Sequence, residues 1–242
     1  MGYLIYLSVF FTAMLSGISV LFLRISKPNL KLILSFSGAY LFGICVLHLI
    51  PEIYSGATSS IGIYILIGFL LQILMEFFSE GIEHGHIHVH EHAEKAFPAT
   101  MMIALSVHSF LEGMPLDKLN HADLQNDHNR YSLLVGIIIH NIPIAIALMT
   151  MLLQSNISKR NALFWLGIFA LMTPLGTFSA HLLSAHLQAD MSVYTKRIMA
   201  IVIGIFLHIS TTILFESSEN HRFNFIKFLV ILLGAGAAMV QI

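Results

Sequence analysis

Long apolar runs without charged residues constrain the fold of this 242-residue chain most strongly. A helix that crosses a bilayer needs about 20 mainly apolar residues, and charged side chains are costly in hydrocarbon. All charged residues except Glu112 and Lys227 fall between such runs, and this pattern predicts an all-α, polytopic membrane protein with eight transmembrane helices in one domain, 1–242. The predicted spans are 1–23, 32–51, 53–75, 96–116, 131–158, 161–189, 198–215 and 223–242.

Composition excludes several other classes of protein. Charged residues make up 10% of the chain, whereas an average soluble domain has about 25%. The net charge of −1 offers no basic surface for nucleic acid. Cys45 is the single cysteine, so neither an intrachain disulfide nor a Cys-rich metal site can form. The 14 histidines outnumber the 12 lysines and arginines together, which is unusual for such an apolar chain.

The distribution of lysine and arginine among the loops predicts the orientation. Cytoplasmic loops of membrane proteins are enriched in these residues, and an even number of spans puts both termini on one side. With both termini outside, eight of the 12 basic residues fall in inner loops. We therefore expect both termini outside. The inner set is Arg24, Lys27, Lys31, Lys95, Lys159, Arg160, Arg222 and Lys227.

A histidine-rich segment, 83–95, separates the third and fourth spans and is cytoplasmic in this orientation. Alternate histidines in it would share one face of an extended chain. A loose metal-holding or metal-sensing loop is the favoured interpretation, and a solvated polar linker is the alternative. Because a flexible loop cannot present a fixed geometry, we expect an accessory role. The histidines are His84, His86, His88, His90 and His92.

The fourth span contains an ionisable pair. His108 and Glu112 are four residues apart and so share one face of a helix. A neutral imidazole and a carboxylate on one face can bind a divalent cation together. An internal hydrogen bond that only joins helices is the alternative. Burial of a lone carboxylate for packing is costly, so the pattern favours a metal site.

The fifth span offers matching groups at a similar depth. His140 and Asn141 precede Pro143, which is expected to kink the helix and to free a backbone carbonyl. His108 lies nine residues before Asp117, and His140 lies nine residues after Tyr131. Asp117 and Tyr131 mark the outer ends of these spans, which places both histidines about 14 Å below the surface. They should therefore meet near the midplane. Gly136, one turn above His140, is expected to let the fourth and fifth helices approach closely.

Two further polar pairs could mark the ends of a pathway. His48 and Glu52, also four residues apart, would either collect cations at an entrance or mark a hydrated helix end. In the seventh span His208 and Glu216 lie on one polar stripe, which predicts either an exit path or a polar seam between helices.

The sixth span contains a proline motif and one more histidine. Thr173 and Pro174 predict a break in this helix. His181 lies either within the membrane or near the outer surface, because the long charge-free run does not fix its ends.

These motifs together resemble the ZIP (Zrt/Irt-like) metal transporters. The motifs occur in the same order as in that family, and together they cover nearly all eight predicted helices. The matching segments are His-Leu-Ile-Pro-Glu at 48–52, the histidine-rich loop, His-Ser-Phe-Leu-Glu-Gly at 108–113, His140 with Asn141, Thr-Pro-Leu-Gly at 173–176, and Gly-Ile-Phe-Leu-His at 204–208.

The resemblance implies transport of a divalent transition metal toward the cytosol, with zinc first and iron or manganese as alternatives. It implies no enzymatic activity and no cofactor other than the transported ion. It also implies eight helices in a 3+2+3 arrangement, both termini outside, with the metal between helices four and five. We expect the plasma membrane as the location, and metal ions, lipid and, as one option, a second copy of the chain as partners. The implied metal ligands are His108, Ser109, Glu112, His140 and Asn141.

Two positions depart from the pattern of many family members. Ile144 stands where many members have a glutamate, four residues after the histidine of helix five. Thr173 stands where some members have a carboxylate before the proline of helix six. Both departures favour a single metal site.

Other functions stay open at the level of sequence. A membrane electron carrier could ligate haem with two of His108, His140, His181 and His208, and its absorption spectrum would reveal it. A membrane metalloenzyme is disfavoured because the chain has no His-Glu-x-x-His motif. A metal sensor would depend on the loop histidines.

Overall fold

The computed structural model describes residues 2–23, 25–55, 60–79, 99–120, 127–186, 191–215 and 224–240, and these residues form helices and short connecting segments, with no strand among them. This confirms the all-α class. Eight helices follow one another: α1 (Gly2–Ser19), α2 (Lys27–Tyr54), α3 (Ile61–Ser79), α4 (Ala99–Gly113), α5 (Asp127–Gln154), α6 (Lys159–His186), α7 (Met191–Phe215) and α8 (Phe225–Met239). A π-helical turn, Cys45–Leu49, interrupts α2, and a 3₁₀ helix, Met114–Asn120, extends α4.

Five of these helices, α2, α3, α5, α6 and α7, are long and apolar enough to cross a bilayer. α1 and α8 are apolar but shorter. Large apolar side chains such as Leu66, Phe77 and Phe164 are more than half exposed on the helix surfaces. Water would penalise such an apolar exterior, whereas lipid tails solvate it. The chain is therefore an integral membrane protein.

Several helices begin at a residue that caps the free backbone N–H groups of the first turn. The Ser26 hydroxyl accepts from the Asn29 amide at the start of α2, and the Ser158 hydroxyl accepts from the Asn161 amide at the start of α6. Asn224 does the same for α8. Such capping fixes where a helix leaves a loop.

The helices pack as two groups. α1, α4, α5 and α6 pack mainly on one another, and so do α2, α3, α7 and α8. The two groups meet where α2 packs on α5 and α3 packs on α4. A side chain of α4 can therefore reach both its own group and α3.

Glycines bring α4 and α6 into backbone contact. A Cβ atom on Gly113 would overlap the carbonyl oxygen of Thr173, and a Cβ atom on Gly176 would overlap that of Phe110. Small residues allow this close approach of helices in membranes. The crossing holds α4 firmly against α6. The crossing of α3 and α7 has the same reciprocal geometry, with the contacts Gly68–Ile201 and Gly204–Ile65.

The boundary between the second and third helices differs from the prediction. The span 53–75 was expected to begin at residue 53, but α2 continues to Tyr54 and α3 begins at Ile61. Charges alone do not reveal this boundary, because the sequence has no charged residue between Glu52 and Glu76. Pro51 lacks an N–H group, and the π-helical turn precedes it, with the Ile50 amide bonded to the Cys45 carbonyl.

The two intramembrane prolines do not interrupt their helices. The break predicted at Thr173 and Pro174 is wrong, because α6 runs unbroken through Pro174. α5 likewise continues through Pro143. Packing against neighbouring helices compensates for the missing hydrogen bond at each proline.

Gly136 does not bring α4 and α5 together, which corrects the expectation. A Cβ atom at this position would meet the side chains of Ile44, Leu41 and Tyr40, all on α2. Gly136 therefore serves the contact between the two helix groups, while α4 packs chiefly on α6.

Hydrogen bonds between helix ends show which ends lie together. The Lys196 ammonium donates to the Ser55 carbonyl (2.8 Å), so α7 starts beside the end of α2. The Lys227 ammonium donates to the Leu214 carbonyl (3.3 Å), so α8 starts beside the end of α7. The side of the membrane on which each end lies stays a prediction. The segment 83–95 with its five histidines lies outside the described residues.

Candidate metal centre

His108, Glu112 and His140 come together in the interior of the helix bundle. Each offers one ligand atom, and these atoms lie within 4.8 Å of one another. Glu112 Oε1 is 2.7 Å from His108 Nε2 and 3.7 Å from His140 Nε2. The exposed fraction of all three side chains is 0%. Two imidazoles and one carboxylate therefore converge on one buried point.

The helices α4 and α5 explain why these residues meet. One turn of α4 separates His108 from Glu112, which places both on the same face, as their spacing predicts. His140 reaches this face from α5, and the rings of His108 and His140 are 6.0 Å apart. The expected meeting of the two histidines thus occurs.

Gln72 on α3 touches the same group of residues and was not singled out from the sequence. His108 Nδ1 lies 3.2 Å from Gln72 Oε1, and the Gln72 side chain is 0% exposed. The imidazole N–H donates and the amide oxygen accepts. With Nδ1 protonated, the other ring nitrogen, Nε2, faces Glu112. A neutral amide gives little signal in a sequence, and only the packing of α3 on α4 reveals its partner.

Several buried oxygen atoms at and beside this group have no hydrogen-bond partner among the described residues. They are Glu112 Oε2, Ser109 Oγ and Asn141 Oδ1. Ser109 and Asn141 are the chain neighbours of His108 and His140, and both are buried. A buried polar atom without a partner is costly, so a concentration of oxygen acceptors points to a cation that would satisfy them.

The electrostatics of the group favour a cation as well. The close contacts that the structure shows for the Glu112 carboxylate are to the two imidazoles. Imidazoles that serve as metal ligands are neutral, so the carboxylate charge then has to be balanced by the ion itself. The donor set of two nitrogens and an oxygen suits a borderline divalent metal such as zinc.

A second histidine–carboxylate pair lies at the end of α4. His181 Nδ1 is 3.1 Å from Asp117 Oδ1, and the His181 side chain is 45% exposed. His181 lies in the last two turns of α6, and its location within the membrane or near the outer surface stays a prediction. Asp117 was not predicted as its partner.

The two residues of the predicted entrance pair, His48 and Glu52, differ in solvent exposure. His48 is buried, and its Nε2–H donates to the Ala238 carbonyl of α8 (3.1 Å). Glu52, one turn later, is partly exposed. Of these two, Glu52 is thus the better placed to meet a cation from solution.

The predicted exit residue His208 pairs with a carboxylate of α3. His208 Nε2 lies 3.4 Å from Glu76 Oε2, and the side chains are 10% and 26% exposed. Glu76 follows Gln72 by one turn of α3, so both lie on the same face. Glu216 lies outside the described residues, and Glu76 is the partner that the sequence did not indicate.

A second metal site has no support in the described part of the chain. Ile144 and Thr173 are buried and offer no carboxylate. Within the described ranges, His108, Glu112 and His140 are the one group of three or more metal-binding side chains whose ligand atoms come this close.

The geometry does not favour haem. The Glu112 carboxylate lies against both His108 and His140, where the macrocycle of a haem ligated by these two histidines would have to pass. An intramembrane carboxylate at that place suits a metal cation instead.

Comparison with known proteins identifies the family. The model of the ZIP zinc transporter family matches residues 96–241, which include α4 to α8 and the candidate metal-binding group of His108, Glu112 and His140. Zinc transporter ZIP1 of Danio rerio is 31% identical over 99 residues, a region that makes up 40% of this chain and 30% of that relative. The aligned region thus spans less than a third of that relative's length. Because the family model matches more than half of the sequence, the chain belongs to the ZIP zinc transporter family.

Proposed function

We propose that this protein carries Zn²⁺ across a membrane through a site formed by His108, Glu112 and His140. The observation that supports this most is the convergence of two imidazoles and a carboxylate, all fully buried, inside an integral membrane protein. Intramembrane ionisable groups are expensive and mark ion pathways.

The ligand set suits an ion that is bound and then released. Zinc takes about four ligands in tetrahedral geometry. Two histidines and one glutamate leave room for a water or for an oxygen of Ser109 or Asn141. A site with one formal negative charge binds a dication without full neutralisation, which favours release.

The path follows from the polar residues on either side of the site. On the outer side, Glu52 and the Asp117–His181 pair lie near helix ends and would attract cations. On the inner side, the Glu76–His208 pair leads from the site toward the ends of α3 and α7, which precede the histidine-rich loop and Glu216. With both termini outside, this direction is toward the cytosol.

Access to the site would alternate by movement of one helix group against the other. The site is on α4 and α5, while α3 of the other group contacts α4 beside it. Sites at the interface of two helix groups are typical of secondary transporters.

Zinc uptake into liposomes that contain the purified protein tests this proposal. We expect His108→Ala, Glu112→Ala and His140→Ala each to lower initial Zn²⁺ uptake by at least about 10-fold, because each removes a direct ligand. Fe²⁺ and Mn²⁺ would be added as competitors, since ligand type alone does not separate these metals.

Thr150→Ala is the matched control on α5. Among the described residues its hydroxyl bonds to the Ile146 carbonyl of its own helix, away from the proposed ligands, and uptake should stay at the wild-type rate. Wild-type uptake in all three ligand variants, at equal protein levels, would refute the site. A Soret absorption band in the purified protein would instead favour the haem carrier.

A further inference from the structure

Gln72 occupies an unusual place relative to the metal-binding group. It lies on α3, in the helix group α2, α3, α7 and α8, whereas His108 belongs to the other group. Its side chain is fully buried, and Oε1 lies 3.2 Å from His108 Nδ1. The contact therefore crosses the interface between the two helix groups at the metal site.

The chemistry of a histidine ligand explains how the contact between Gln72 and His108 would affect metal binding. A metal binds the unprotonated nitrogen of a neutral imidazole, so the other nitrogen must carry the proton. A hydrogen-bond acceptor beside Nδ1 keeps the proton on Nδ1 and leaves the lone pair of Nε2 free for the metal. In His108, Nε2 is the ring nitrogen that faces Glu112, 2.7 Å from Oε1. Histidine ligands usually have such an acceptor behind them, and its loss weakens binding.

We propose that Gln72 is the positioning residue of the metal site: its amide oxygen holds His108 in the Nδ1-protonated form and in the orientation that directs Nε2 at the ion. Because the bond joins the two helix groups, the ligand geometry depends on their relative position. This inference rests on the proposed zinc function and adds to it a residue outside α4 and α5.

The alternative is that Gln72 only fills space and satisfies a buried hydrogen bond. Such a structural role would lower protein stability on substitution without a selective effect on zinc affinity. A positioning role instead predicts that the substitution weakens zinc binding selectively, with little loss of protein stability. An acceptor of similar length at position 72 should restore affinity, and an apolar side chain should not.

Zn²⁺ binding to the purified full-length protein in detergent, followed by competition with a chromophoric chelator, separates the two roles. We expect Gln72→Leu to weaken Zn²⁺ binding about 10- to 100-fold. Gln72→Glu, which retains a carbonyl oxygen at the same reach, should bind within a few-fold of wild type. In uptake, Gln72→Leu should raise the Zn²⁺ concentration for half-maximal rate more than it lowers the maximal rate.

Ser37→Ala is the matched control in the same helix group. Within the described part of the chain its buried hydroxyl bonds to the Leu34 carbonyl of its own helix, so this change tests the effect of losing a buried polar group elsewhere. Its Zn²⁺ affinity should equal that of wild type. If Gln72→Leu does not fold, Gln72→Met replaces it, since its thioether is only a weak acceptor.

The outcomes distinguish the positioning role from the proposed function. If the wild type binds Zn²⁺ and His108→Ala does not, but Gln72→Leu binds as tightly as wild type, the positioning role is refuted and the proposed function stands. Equal weakening by Gln72→Leu and Gln72→Glu also refutes it. If His108→Ala binds Zn²⁺ like the wild type, the proposed site itself fails.

Discussion

Glu112 is the residue on which the chemistry of the proposed site depends most. Its oxygens are fully buried, and the contacts shown for them are to imidazoles, which leave the carboxylate charge unbalanced when they are neutral. Burial of a charge for function is often paid for in stability. Removal of the Glu112 charge should therefore maintain or raise the stability of the zinc-free protein and lower its affinity for metal.

We predict that Glu112→Gln leaves the zinc-free protein at least as stable as wild type, because the amide is similar in size and uncharged. The same change should abolish most of the increase in unfolding temperature that Zn²⁺ gives the wild type, since a ligand stabilises in proportion to its binding. Thermal unfolding in detergent with and without Zn²⁺ measures both. A less stable zinc-free variant that keeps the full Zn²⁺ effect would contradict the prediction.

Sequence was informative about residues where spacing alone determines the geometry. His108 and Glu112 lie on one helical face because they are one turn apart, and depth arguments brought His140 to the same level. Gln72 and Glu76 were missed because their partners lie on other helices. Only the packing of α3 on α4 and α7 brings these pairs together, and no local pattern encodes it.

At the scale of the helices, α4 is placed by its contact with α6 rather than by contact with α5. The reciprocal glycine contacts hold the backbones of α4 and α6 together. Thr177 adds a hydrogen bond from its hydroxyl to the Gly113 carbonyl (2.8 Å). The orientation of His108 and Glu112 thus depends on residues that do not touch the metal.

We predict that Gly176→Ala destabilises the protein by about 1–3 kcal/mol, because the added methyl group overlaps the Phe110 carbonyl and the helices must separate. Chemical unfolding in mixed micelles would measure the loss. Gly167→Ala on the same helix is the control, since no described atom apart from the adjoining residues and backbone of its own helix lies within 4 Å of its Cβ position. It should be neutral or slightly stabilising, because alanine favours helix. Equal effects of the two changes would contradict this account of the crossing.

The helices themselves were largely predictable, and their interruptions were not. The lengths of the apolar runs predicted eight helices, and the described part of the structure has eight along the chain. This worked because a charged residue in lipid is costly, so charges in the sequence indicate where spans end. The start of α3 at Ile61 and the unbroken α6 were missed. An uncharged turn leaves no charge signal, and neighbouring helices stabilise a helix through Pro174 in a way that sequence does not show.

At the scale of the whole molecule, the metal-binding group lies on one helix group and its positioning residue on the other. α4 and α5 supply the three proposed ligands, and α3 supplies Gln72. The Glu76–His208 pair lies within the second group, one turn farther along α3. This division suits a transporter in which relative movement of the groups changes both the ligand geometry and the path that is open.

The orientation, the plasma-membrane location, the homodimer and the role of the histidine-rich loop stay predictions from sequence. The loop histidines and Glu216 lie outside the described residues. The accessory role of the loop stays an expectation, and it agrees with a proposed site whose three ligands come from α4 and α5.

Anomalous diffraction at the zinc absorption edge, from crystals of the zinc-loaded protein, tests the central claim most directly. The account predicts the strongest intramembrane peak between α4 and α5, about 2.0–2.1 Å from the Nε2 atoms of His108 and His140, and its loss in Glu112→Ala. Zinc density confined to other positions, with none between these helices, would contradict it.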